Sequence, residues 1–120
     1  MGPMTESEPI LDLQALLDSV DGDRELLDEL AGTFAHEIPG WVTALRTAAS
    51  NDDSATLFRV AHGINGAVGY FKAAGVRQAA ADLEAMGREG RLTDASAAVE
   101  RLRSALVELS TFLGSAPWRP

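Results

Sequence analysis

Apolar residues recur along this chain at three- and four-residue intervals in five stretches, divided by polar or glycine-containing breaks. That spacing predicts helices. A short first helix covers about 12–20, with Leu13, Leu16 and Leu17 on one face. Asp21-Gly22-Asp23 then breaks the chain and offers an N-cap to the next helix. The second helix spans about 24–49 and carries Leu26, Leu27, Leu30, Phe34, Ile38, Trp41, Val42 and Leu45 along one stripe. Pro39 falls inside it, so a kink or a break into two pieces is expected near Glu37. Asn51-Asp52-Asp53-Ser54 is the next polar junction, and any of its members can cap a third helix at about 55–71. A fourth, at about 75–88, lies between Gly75 and Gly90. A fifth, at about 94–113, has Val99, Leu102, Leu106, Leu109 and Leu113 as its stripe. No segment alternates strictly with β-branched enrichment, so no strand is predicted. Short loops between helices of similar length imply antiparallel neighbours. The expected fold is all-α: an antiparallel up-down-up-down four-helix bundle, with a short additional N-terminal helix laid across one end.

The bundle is expected to occupy residues 10–113, with flexible tails at 1–9 and 114–120. Met1-Gly2-Pro3, in front of Met4, reads as a cloning remnant. The 120 residues suffice for one domain with a real core. Hydrophobic residues make up 46% and charged residues 23%, which excludes a disordered chain. No apolar run approaches the roughly 18 residues of a membrane span, and no basic-then-apolar leader is visible. A cytoplasmic protein is expected. The formal net charge of −8 argues against a nucleic-acid partner, whose phosphates it would repel. An acidic surface is also a common solubility device. Without cysteine there is neither disulfide nor thiolate metal site. Two histidines and no Glu-x-x-His leave no metal set to propose.

The third helix departs from ordinary helix chemistry. Its stripe of Leu57, Ala61, Ile64, Val68 and Phe71 is regular, but Gly63, Gly66 and Gly69 interrupt it. Each glycine costs about 1 kcal/mol relative to alanine, roughly 3 kcal/mol for the three. His62, Gly66 and Gly69 lie at i, i+4 and i+7 and therefore share one strip of surface, with Asn65 at i+3 and Arg59 at i−3. The strip points roughly 140° away from the core stripe for His62. An imidazole is thus exposed where side chains one and two turns later are absent. An exposed histidine is often only a solvated residue, and helical glycines often serve close helix packing, for which Gly63 is a candidate. A phosphate-cradling glycine loop is a weaker reading, since no Lys-Ser/Thr follows and no strand precedes.

The run Ala61-His62-Gly63-Ile64-Asn65-Gly66-Ala67, with Leu83-Glu84 a helix later, resembles the histidine-containing phosphotransfer (HPt) domain of bacterial two-component phosphorelays. The leader Asp21-Gly22-Asp23-Arg24-Glu25-Leu26-Leu27 and the proline-containing long helix are similar too. The likeness extends over about residues 10–113 without a gap. It implies a non-enzymatic phosphohistidine carrier. His62 would take a phosphoryl group from a receiver-domain aspartyl-phosphate and pass it to another receiver, which would bring the Mg²⁺. An imidazole, with an unperturbed pKa of about 6.5, is a competent nucleophile near neutrality. The implied partners are response-regulator receivers and a hybrid histidine kinase, and nothing in the sequence demands a dimer. Gly66 would leave room for the partner, and Phe58, Gly69 and Tyr70 are candidate docking residues.

Two positions depart from the family pattern. Asn65 stands where the family usually has a lysine, so Arg59 is the candidate for the missing positive charge near the phosphoryl group. Lys72 stands where the family has a glycine. Lysine tolerates positive φ poorly, so the helix is expected to run on and turn at Ala73-Ala74-Gly75 instead. The alternative reading keeps the same fold as a docking or adaptor module that binds a receiver or kinase without carrying phosphoryl groups. A helical adaptor with a chance motif is the third.

Overall fold

A computed structural model describes residues 10–119 of the chain. The expected cloning remnant at 1–3 and the rest of the N-terminal tail, 4–9, lie outside the described residues. Five α-helices follow in order: α1 (Leu13–Ser19), α2 (Arg24–Ser50), α3 (Ser54–Val68), α4 (Ala74–Glu89) and α5 (Ala95–Gly114). A 3-10 turn, Gly69–Phe71, extends α3. Among the described residues there is no strand.

The helix starts follow from side-chain capping. Asp12, Asp23 and Asp53 each accept a hydrogen bond from the backbone N–H three residues on, at 3.0, 3.0 and 3.1 Å. Each satisfies one of the orphan donors of a first turn. Hydrogen bonds from Thr56 hold the Asp53 carboxyl below its ordinary pKa. At the far end of α4, Gly90 takes the left-handed conformation with φ of 68° that a helix C-terminus favours.

Helix α2 packs on α3 and α5, and α4 packs on the same two, closing a four-membered ring. Chain direction alternates around it, as cross-helix contacts record: Phe34 meets Phe71, His62 meets Glu84, and Arg46 meets Glu100. Leu27, Leu45, Leu57, Ile64, Leu83, Leu102, Leu106 and Leu109 are wholly withdrawn from solvent at the centre. On α1, Leu16 joins this core. No polar or charged residue among those described is buried.

Three expectations are corrected. Helix α2 runs unbroken through Pro39, although proline cannot donate to the carbonyl four residues back. Phe34 and Ile38 before it and Val42 and Leu45 after it are buried in one continuous stripe, and that packing keeps the segment one helix instead of two. The turn after α3 falls on Lys72, with φ of 55°, and α4 starts at Ala74. Phe71 and Ala73 on either side are both buried, at 4% and 1% exposure, so burial of the two neighbours fixes the reversal between them. The left-handed conformation costs a non-glycine residue about 1–2 kcal/mol, and burial outweighs it.

The third correction concerns residues 114–119, which are not a loose tail. Trp118 is 3% exposed. Its Nε1–H donates to Asp28 Oδ1 at 2.9 Å, and its carbonyl accepts from Arg24 Nε at 2.6 Å. Arg119 adds an ion pair to Asp28. An indole buries enough apolar area, with its one polar atom satisfied, to offset the ordering of a few residues.

Candidate functional site

Helix α3 turns Leu57, Ala61, Ile64 and Val68 into the core, which leaves His62 on the outer face. The His62 side chain is 68% exposed. Its Nδ1 lies 3.1 Å from Oε2 of Glu84 on α4, whose side chain is only 14% exposed. A carboxylate can only accept, so the proton in this contact sits on Nδ1, and in the neutral ring the lone pair is then on Nε2. Arg88, one turn along α4, donates to the same Glu84 oxygen at 3.2 Å. The guanidinium also sits over the Phe58 ring, 5.5 Å from its centroid. Phe58 in turn stacks on the His62 ring, with centroids 5.6 Å apart and planes 13° from parallel. Histidine, glutamate, arginine and phenylalanine therefore form a closed ring of contacts that fixes the imidazole plane.

Beside His62 a shallow groove opens between α3 and α4, lined by His62, Asn65, Gly66, Gly69, Lys72, Arg77 and Glu84. A Cβ added at Gly63, Gly66 or Gly69 would meet nothing within 4 Å. These glycines do not admit a neighbouring helix, Gly63 included; they clear space on the solvent side. The close-packing glycine is Gly87 on α4, where a Cβ would lie 2.6 Å from the backbone nitrogen of Phe58. Its absence lets α4 approach α3 closely enough for Glu84 to reach His62.

Of the residues singled out from sequence, His62, Asn65, Gly66 and Gly69 are brought together in this groove. Arg59 is exposed but does not line it, and its charge acts instead on Asp53 at the start of α3. Phe58 is half-buried as the platform under the imidazole, so it supports the site more than it offers a docking face. Tyr70, 39% exposed, borders a separate apolar cleft on the other flank of α3, with Phe34, Trp41 and Phe71. Glu84 entered the sequence reading only as part of a motif. Arg77, Arg88 and Gly87 were missed, although Glu84 and Arg88 share an i, i+4 face and Gly87 stands within an otherwise good helix former run.

The model of the Hpt domain family matches residues 13–112 of this chain. The chain belongs to the Hpt domain family. Among solved structures, the histidine-containing phosphotransfer protein B of Pseudomonas aeruginosa PAO1 superposes with a TM-score of 0.82 at 22% identity, over 91% of this chain and 95% of that one. The HPT domain of a sensor hybrid histidine kinase from Shewanella gives a TM-score of 0.73 at 18% identity, over 88% and 92%. At these identities the likeness concerns the fold. No curated protein matches the chain significantly. Hpt domains are phosphocarrier modules of phosphorelays and not kinases, and they work with receiver domains and histidine kinases. Among the described residues no helix is long and apolar enough to cross a membrane.

Proposed function

We propose that this Hpt domain is a phosphorelay intermediate in which Nε2 of His62 accepts the phosphoryl group of a receiver aspartyl-phosphate and passes it to another receiver. The observation that carries the reading is the division of labour on the imidazole: Nδ1 is engaged by Glu84, while the ring, 68% exposed, lines a groove cleared by Gly66 and Gly69. In the forward step the Nε2 lone pair forms a bond to phosphorus, the phosphorus–oxygen bond to the aspartate breaks, and the aspartate leaves as a carboxylate. The ring then gains positive character, with the Nδ1 proton held toward Glu84 in the manner of an oriented histidine–carboxylate pair. Mg²⁺ would arrive with the receiver, since positioning and charge neutralisation dominate phosphoryl transfer. The cleft bordered by Tyr70 and Trp41, on the other flank of α3, suits the apolar part of a receiver face.

Incubation with a phosphorylated receiver should give acid-labile, base-stable label on the protein and none on His62→Gln. A second receiver should then remove that label. A protein that binds receivers yet never takes label is a docking module, and the relay reading is then lost.

A further inference from the structure

The chain as a whole carries a formal charge of −8, yet two cations, Lys72 and Arg77, line the His62 groove against one carboxylate. That carboxylate, Glu84, is already engaged by His62 and Arg88. The charge left facing the groove is therefore positive, inside an acidic molecule whose field would otherwise repel an anion. The two cations differ in placement. Lys72 stands beyond the end of α3, in the turn. Arg77 projects from the first turns of α4 and lines both the His62 groove and an adjoining hollow, sharing each with Asn65. Asn65 lies one turn past His62. Among the described residues the Arg77 guanidinium enters no ion pair, whereas Arg46, Arg88, Arg91, Arg103 and Arg119 each have a carboxylate partner.

We infer that Arg77 binds the phosphoryl oxygens of the group carried on His62, reaching across from α4 to supply the positive charge that Asn65 on α3 lacks. A planar guanidinium donates two parallel N–H bonds to a phosphoryl group, which an asparagine amide can only supplement with a neutral donor. The inference rests on His62 being the carrier.

The test uses phosphoramidate as donor, without receiver or metal, so that only groups of this chain act on the phosphoryl group. Nε2 of His62 forms a bond to phosphorus, the phosphorus–nitrogen bond breaks, and ammonia leaves with the electron pair. Labelling is followed by intact mass, and the lifetime of the purified phosphoprotein by ³¹P NMR. We expect Arg77→Gln to label or retain label roughly threefold to tenfold less well than wild type, as for an exposed charge-assisted contact. Arg77→Lys should keep most of the function, Asn65→Lys should restore it in the Arg77→Gln background, and the ³¹P resonance should shift in Arg77→Gln alone. Wild-type protein that takes no label overturns the carrier reading and this one together. Wild type that labels at His62 while Arg77→Gln behaves identically overturns the role of Arg77 only. An equal loss in Arg101→Gln, an exposed arginine on α5 outside the groove, would reduce the effect to net charge and overturn it as well.

Discussion

At the scale of single residues, the reactivity of His62 is governed by what holds its second nitrogen. Glu84 is mostly withdrawn from solvent while His62 is exposed, so the hydrogen bond between them is half in water. Such a contact to a charged group is worth about 1.5–3 kcal/mol when shielded and less when wet. Glu84→Ala should therefore slow phosphorylation of His62 by roughly tenfold and let the free ring exchange between tautomers, visible in ¹⁵N imidazole shifts. Glu84→Gln retains an acceptor for Nδ1–H but not the charge, and should fall between the two. If Glu84→Ala labels as fast as wild type, the orienting role is wrong. The partnership itself was half-legible. Leu83-Glu84 stood out in the sequence as a motif, but nothing along the chain says which carboxylate of α4 faces α3.

Helix α3 and helix α4 use glycine for opposite ends. Gly66 faces open space, so Gly66→Ala should raise stability by about 1 kcal/mol through helix propensity. A bulkier Gly66→Leu should keep the fold but obstruct the groove, lowering transfer from a receiver more than labelling by a small donor. Gly87→Ala should do the reverse and cost about 1–3 kcal/mol, because its methyl would press on the Phe58 backbone. Melting temperatures of the alanine variants decide the matter: a shift of the same sign in both would contradict this division. The sequence pattern identified the α3 glycines as an anomaly through their cost. Gly87 left no such trace, since a single helical glycine looks alike whether it clears a groove or admits a neighbour. Lys72 follows the same logic: its residue type argued against positive φ, and burial of Phe71 and Ala73 overrode it.

At the scale of the whole molecule, charge pairs tie distant segments together. Arg46 on α2, and then Arg103, hold the Glu100 carboxyl down at about 2. Arg119 first, and the Trp118 indole next, lower Asp28. Both groups have folded-state values depressed below those of the unfolded chain, which lie near 4. Their contribution is complete above that value and is lost as pH falls through the folded values. For Glu100 the window runs from about 4 down to about 2. Melting temperature should drop across this range, and Arg46→Gln should shift the Glu100 part of the loss to higher pH. Both carboxylates are partly open to water, so the effect is modest and screened by salt. The indole contributes more. Trp118→Ala should destabilise the protein by about 3–5 kcal/mol in a denaturant melt, since it empties a buried site against α2.

The sequence by itself determined the helices, their core stripes and the exposed face of His62. Each follows from a period of 3.6 residues and local capping chemistry, which are properties of neighbours along the chain. The glycine strip beside His62 was legible for the same reason. Only the tertiary structure decided which residues of α4 complete the site, because Arg77, Glu84 and Arg88 stand 15 or more positions from His62 along the chain. It also decided that Trp118 closes onto α2, that α2 stays one helix across Pro39 and that Lys72 accepts a left-handed turn. In all three, burial of neighbouring apolar surface outweighs a local preference of one or a few kcal/mol.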